Sequence, residues 1–241
     1  MISSGWRENR KKINRKNICI TKQEYKDEER KSFLEKTILE FIRRSKYKAR
    51  INEYSDEDNI SIYKFISIDK CTNYDFIECN IYIEGIDGLL DISRFDNKQA
   101  IRNCRFKSCT LISCYENSIQ FRYCELYSCI YECQIEQLDF SQCFIDILSI
   151  YPTDDDNKTI NDELSINAHS DIRAMTKLNK VKVYGKVYWV LLYDSSKIII
   201  DEMVFINKHT TDIACYDNEE FISNLIKDHK IIIYNNNYTI H

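Results

Sequence analysis

The side chains able to do chemistry here are cysteines, four histidines, clustered aspartates and a run of lysines and arginines, and their spacing limits each set. Eleven cysteines occur, eight of them from Cys79 to Cys143. Zinc sites gather thiolates through paired gaps of two to four residues. The recurrent step here is five, each cysteine is matched to an apolar residue two positions on, and only Cys129 and Cys133 have a clip-like gap, without a clear second clip. A core role fits that spacing, and no metal ligand is assigned. A cysteine nucleophile needs a base and an orienting group. Cys215 has His209, Asp212 and Asp217 near it in sequence and His229 further on. With many aspartates in the chain such neighbours arise readily, and no specific flanking motif surrounds these. Cys215, His209 and His229 are catalytic candidates only if the fold brings them to one pocket. His169-Ser170-Asp171 reads as a surface turn. Asp154-Asp155-Asp156 lacks the spaced ligands and glycine of a calcium loop. Four glycines in the whole chain leave little scope for a phosphate loop, and no cofactor is expected.

Charge is unevenly distributed. The net charge is −4, yet residues 1–50 carry 16 basic against 7 acidic side chains, and residues 51–100 carry 4 against 11. Arg10, Lys11, Lys12, Arg15 and Lys16 form the densest basic stretch. They can bind an anionic partner, nucleic acid included, or dock on the chain's own acidic body. Binding to nucleic acid would carry a steep salt dependence. The basic stretch is not followed by the apolar run of a secretory signal, and no segment approaches the ~20 apolar residues of a membrane helix. An odd cysteine count in a chain that is neither short nor glycine-rich points to reduced thiols and a cytoplasmic, reducing compartment.

The elements that must position these groups begin with residues 1–20, expected as a flexible basic arm. Thr21 with Glu24 makes a capping box, and Ile20 can staple onto Tyr25. Phe33, Leu34, Thr37, Ile38, Phe41 and Ile42 then give one apolar face, so an amphipathic helix is expected within 21–50, as a bracket packed on the rest. Residues 51–60 are an acidic linker, and Ser61 to Ile68 reads as a strand.

Residues 61–150 hold the informative pattern. Apolar residues separated by one position recur every five: Cys104 with Phe106, Cys109 with Leu111, Ile119 with Phe121, Cys124 with Leu126, Cys129 with Tyr131. Tyr74 with Phe76 and Cys79 with Ile81 precede them in register. Cys133 with Ile135, Leu138 with Phe140 and Cys143 with Ile145 resume after a one-residue slip. Neither helical period nor strand alternation makes a five-residue step; a chain turning a corner every five residues does. Four corners close a coil of 20 residues, so Cys104 should stack on Cys124, Phe106 on Leu126, Cys109 on Cys129, Ile81 on Ile101 and Ile86 on Phe106. Past the slip the spacing is 19, matching Cys114 to Cys133, Ile119 to Leu138, Phe121 to Phe140, Cys124 to Cys143 and Leu126 to Ile145. Inside so narrow a coil, free cysteine serves as a small hydrophobe.

This pattern resembles the pentapeptide-repeat family, best from Asn103 to Ile145, with cysteine at the small position instead of the family's usual alanine. Glu116 and the stretch Leu89 to Ala100 depart from it. The resemblance implies a mainly β fold: a short right-handed quadrilateral parallel β-helix, with the N-terminal helix and a β-rich or α/β C-terminal segment capping it. In residues 160–241, Val183, Val187, Trp189 and Leu191 alternate with polar or tyrosine positions as in a half-buried strand, and Ile198–Ile200 and Met203–Ile206 read as further strands. Asp217 with Glu220 is a second capping box, with a helix ending near Asp228. Asn235-Asn236-Asn237 between Lys230–Tyr234 and Tyr238–Ile240 reads as a hairpin turn. Periodicity leaves open whether 160–241 continues the coils or forms a separate unit.

The family includes DNA-mimicking topoisomerase inhibitors and bacterial effectors, so the expected function is a non-enzymatic protein-interaction module, an effector or inhibitor with a protein partner. Four coils span only about six base pairs, which ranks DNA mimicry below general protein binding. Open coil ends make a homodimer a further expectation. The alternative is an enzyme or toxin with Cys/His chemistry in 160–241; a weaker one is nucleic-acid binding through the basic arm.

Overall fold

The computed structural model describes residues 10–21, 32, 36, 64–83, 100–113, 118–133, 137–152, 163–167, 176–184, 189–193, 195–206, 210–234 and 238–241. Within these the chain is mainly β, and all strand pairs are parallel. β1 (Lys11–Asn14) and β2 (Asn17–Thr21) come first, and β3 (Lys64–Ser67) lies along one side of β2. β4 (Tyr74–Ile77) lies along β1, and β5 (Asn80–Ile83) along the other side of β2. β6 (Ile101–Arg102), β7 (Arg105–Lys107) and β8 (Thr110–Ser113) form the next set, with β7 on β4 and β8 on β5. β9 (Ser118–Arg122), β10 (Glu125–Tyr127) and β11 (Cys129–Cys133) repeat it one strand further.

β12 (Gln137–Ser141) lies on β9, and β13 (Phe144–Pro152) is long enough to pair with both β10 and β11. The alternation of a short and a long strand then continues. β14 (Glu163–Asn167) and β15 (Thr176–Tyr184) are followed by β16 (Trp189–Tyr193) and β17 (Ile198–Ile206). β18 (Thr211–Cys215), the helix α1 (Glu219–Lys227), β19 (Ile231–Tyr234) and β20 (Tyr238–Ile240) complete the order. β6, β9, β12, β14, β16, β18 and β20 make a seven-stranded sheet; the other thirteen strands make one large curled sheet. That sheet has two walls. The first holds β1, β4, β7, β10 and the leading halves of β13, β15 and β17. The second holds β3, β2, β5, β8, β11, the trailing halves of the long strands, and β19.

Local conformation explains the five-residue step. Asn73, Glu78, Asn103, Ser108, Tyr123, Ser128 and Gln142 all have φ between 51° and 59°, the left-handed region. For residues other than glycine this costs about 1–2 kcal/mol each. The cost is offset because five of these seven turned residues align an amide with the next set. Asn103 N–H donates to Arg122 O at 3.0 Å, Ser108 N–H to Tyr127 O at 2.9 Å, and Tyr123 N–H to Ser141 O at 2.9 Å. So the chain turns its corners with almost no glycine. The residue after six of these corners is a cysteine, buried, and the apolar residue two positions further on is buried with it. Phe76 stacks on Phe106 at 5.2 Å, Phe121 on Phe140 at 5.4 Å, and Phe121 meets Phe106 and Tyr131 edge-on. Such pairs add about 0.5–1.5 kcal/mol each beyond area burial.

The expected register is reproduced at Phe106 with Leu126, Ile119 with Leu138, Phe121 with Phe140 and Leu126 with Ile145. It is corrected at two points. Ile81 lies beside Leu111, 30 positions on, instead of Ile101, because the segment around 84–99 adds ten residues, a multiple of five that keeps the same wall. Cys133 lies beside Ser113, not Cys114, which places the one-residue slip between Cys133 and Gln137. Ile86 and Cys114 lie outside the described residues.

Three local expectations also change. Residues 11–21 are strands β1 and β2, not a flexible arm, because open strand edges beside them satisfy their backbone. Thr21 ends β2 and is buried, and the capping box expected of it with Glu24 lies outside the described residues; of residues 22–50 only Ser32 and Lys36 are described, and both are helical and exposed. β19 and β20 do not form the expected hairpin: β19 pairs parallel with β17 and β20 parallel with β18, in different sheets. A strand edge already ordered by its own sheet outcompetes a two-strand ribbon, which is marginal alone. The described strands of residues 160–241 all join the same two sheets. At their end α1 buries Ile222 and Leu225 in the common core and packs against β18, β19 and β20. No described helix is long and apolar enough to cross a membrane.

Candidate functional site

Nine of the described cysteines are free thiols, all buried. Six of them follow left-handed corners in two files, Cys104, Cys124 and Cys143 in one and Cys79, Cys109 and Cys129 in the other. The thiols of six bridge strand sets. Cys104 Sγ approaches Cys71 O at 3.6 Å, Cys124 approaches Ile101 O at 3.4 Å, and Cys143 approaches Phe121 O at 3.3 Å. Cys79, Cys109 and Cys129 do the same toward Ile13 O, Phe76 O and Phe106 O. Alanine would fill the space but supply no donor. Burial, with the Cys143 thiol beside it, pushes Cys124 well above the usual thiol range, and burial pushes Cys129 up to about 12. Cys124 and Cys129 are therefore protonated core groups with no nucleophilic character, whereas the Cys109 thiol and backbone amides beside Cys79 lower that thiol to about 7. Among the described residues no three His, Cys, Asp or Glu side chains come together as a metal site.

Cys215 ends β18, beside Leu192 of β16, and belongs to the core. Its thiol donates to Asp217 Oδ1 at 3.2 Å. Burial and this carboxylate push Cys215 up to about 12. Asp217 also accepts the backbone N–H of Ser195 at 2.9 Å and its hydroxyl at 2.8 Å. Burial opposes the charge on Asp217, but these donors outweigh it and hold the group below the usual carboxylate range. The constellation is a clamp joining the turn before β17 to the turn before α1. It takes Asp217 away from the expected capping role, and Asn218 caps α1 instead, accepting the Glu220 N–H at 3.1 Å. His229 follows the C-terminus of α1 with φ 57°, its amide bonded to Ile226 O. His209 lies outside the described residues. The expected consequence is slow alkylation: at pH 8 Cys129 and Cys215 resist iodoacetamide in the native protein and react promptly in denaturant, as read by peptide mass spectrometry. Native labelling of Cys215 at the rate of a free thiol would restore it as a nucleophile candidate.

The basic residues are divided by the fold. Arg10 is drawn onto the protein: its Nη2 lies 3.0 Å from Glu125 Oε1, with only 7% of the side chain exposed. Glu125 also meets Arg105 at 3.2 Å and accepts the Tyr127 hydroxyl at 3.2 Å, and Arg105 reaches Asp75 at 3.6 Å. Arg15 pairs with Glu78 at 2.6 Å. Lys11 lies over the Tyr74 ring, and Lys12 and Lys16 are exposed. Along its row from Asp75 to Arg105 to Glu125, the outer first wall alternates sign.

The outer second wall differs toward its C-terminal end. Tyr151 stacks on Tyr184 at 4.2 Å, and the register continues to Ile206 of β17 and Tyr234 of β19, which are 39% and 57% exposed. Ile232 stands beside this file. Sequence reading missed it because the register steps are 33, 22 and 28 residues, set by loops of unequal length. Comparison with family models, with curated proteins and with solved structures found no match.

Proposed function

We propose that this chain is a short four-sided β-solenoid of pentapeptide-like coils that acts as a non-enzymatic protein-interaction module. Left-handed corners five residues apart, and strand registers of 20 and 19 residues between β7, β10 and β13, support the coil reading. The observation that carries the interaction reading is the outer file Tyr151, Tyr184, Ile206 and Tyr234. Aromatic and aliphatic side chains aligned on a rigid wall suit the desolvated centre of a protein interface. Nearby Lys180 and Glu202, paired at 2.7 Å, supply part of a polar rim. The chemistry-bearing groups favour the same reading: Cys215 is clamped by Asp217, and two of the five basic candidates, Arg10 and Arg15, are engaged by glutamates. Sign alternation along the row Asp75, Arg105 and Glu125 argues against mimicry of a nucleic acid there, which needs rows of one charge.

The test is affinity capture from cell extract with the intact chain and with an Ile206→Asp/Tyr234→Asp variant. A discrete protein held by the wild type and lost, at unchanged melting temperature, with the variant supports the assignment. Equal capture by both proteins, or capture of nucleic acid alone, overturns it.

A further inference from the structure

We infer that the outer face of the second wall is a docking surface for the chain's own residues 33–42, which pack as a helix over β2, β5 and β8 and leave only the C-terminal half of that face open. In these three strands the inward side chains Ile18, Ile20, Ile81, Ile83 and Leu111 lie in the common core. Alternation along a strand then turns Cys19, Tyr82 and Ile112 outward. The register sets Cys19 beside Tyr82 and Tyr82 beside Ile112. Yet the three are 0%, 4% and 1% exposed, and none joins the core cluster. Asn17 and Asn80, outward on β2 and β5, are buried as well and bonded to one another at 3.1 Å. The same file passes through Glu132 to Tyr151, and from Tyr184 to Ile206 and Tyr234, where it opens to solvent. One row of outward positions is thus covered at one end and bare at the other.

The segment between β2 and β3 is the occupant that connectivity selects. It leaves this wall at Thr21 and returns to it at Lys64, where β3 pairs parallel with β2. Parallel strands joined in succession need a crossover, usually a helix. The inner face of the wall is filled by the core, so the crossover passes outside. The helix α1 packs at the opposite end of the sheets, against β18, β19 and β20. Ser32 and Lys36 are helical and exposed. At about 3.6 residues per turn they stand opposite Leu34, Thr37 and Phe41, so their exposure turns the apolar side toward the protein. With side chains a helix is about 10–12 Å across, the width of three strands about 4.8 Å apart. That width accounts for cover over β2, β5 and β8 and for its absence from β17 and β19. The inference concerns the covered half and does not rest on the partner reading of the open half; it sets where the open surface begins.

The experiment reads Cys19 in the reduced full chain, by iodoacetamide labelling at pH 8 and peptide mass spectrometry. Cys19 should be protected in the wild type, as Cys129 is. In Ile38→Asp/Phe41→Asp it should label about tenfold faster or more, since its protection rests on that packing alone. Cys129 should stay protected there, which reports that the inner core remains folded. Ile206→Asp/Tyr234→Asp, on the open half, should leave Cys19 protected; loss of partner capture in that variant therefore bears on the partner reading alone. Where the helix variant unfolds, both cysteines label together and cross-linking decides. A short bis-maleimide should join Ile38→Cys or Phe41→Cys to Ile112→Cys within one chain, and to Ile206→Cys not at all. Rapid labelling of Cys19 in the wild type, a protected Cys19 in the folded helix variant, no cross-link to position 112, or a cross-link to position 206 overturns the inference.

Discussion

Phe121→Ala should lower the unfolding free energy by about 3–5 kcal/mol, the usual cost of emptying a buried phenylalanine site. Phe121 is fully buried, stacks on Phe140, and meets Phe106 and Tyr131 edge-on, so one truncation removes contacts to three strands in both sheets. Neighbouring rings cannot close the gap, because each is fixed by its own strand register. Urea unfolding followed by circular dichroism measures this directly. Ile147→Ala, at a site 38% exposed, should change stability by no more than about 0.5 kcal/mol. Similar losses from the two variants would contradict a single shared core running between the sheets.

Glu125→Gln should cost about 2–3 kcal/mol. Removing one member of a buried ion pair typically costs 3–5 kcal/mol, and the lower figure applies because 28% of the Glu125 side chain remains exposed. The loss arises mostly from Arg10, left buried without its carboxylate. A double-mutant cycle with Arg10→Met separates that penalty from the pair's own contribution, and the double variant should be more stable than Glu125→Gln alone. The pH dependence has a definite sign. Burial raises the Glu125 pKa, but the hydrogen bond and charge of Arg10, the charge of Arg105 and the Tyr127 hydroxyl lower it further, leaving it below the usual glutamate value of about 4.5. A depressed folded value means the stabilisation is complete above about 4.5 and is lost as pH falls through the folded value. Wild type and Glu125→Gln should therefore converge in stability toward strongly acidic pH. A constant difference between pH 6 and 3 would show that the charge contributes nothing.

The pair Arg10 and Glu125 also marks where sequence reading stops. Their separation is 115 residues, and nothing in the basic run distinguishes Arg10 from Lys12. Which of the five basic residues are neutralised depends on β1 lying on β4, 63 positions on, an offset set by the long segment between the strands. Likewise Asp217 and Glu220 satisfy a capping-box spacing, yet the carboxylate accepts from Cys215, two residues away, and from Ser195, brought beside it only by the stacking of β16 and β18. Local motifs compete with tertiary partners, and a charged donor-rich site wins.

The five-residue corner spacing and the inward pairing of cysteine with a large apolar residue were determined by the sequence itself from Cys104 to Ile145, because each corner is a local backbone event and each inward position must be small or apolar. Register past the one-residue slip followed from the same rule at Ile119, Phe121 and Leu126, but the slip itself lies after Cys133, later than the sequence pattern placed it. Tertiary structure alone decided the rest. The 63-, 30- and 33-residue offsets depend on loops whose length leaves no periodic trace, as does the assignment of residues 160–241 to the same two sheets. The exposed file ending in Tyr234 exists only once those offsets are set, since stacking, and not sequence neighbourhood, brings its residues into line.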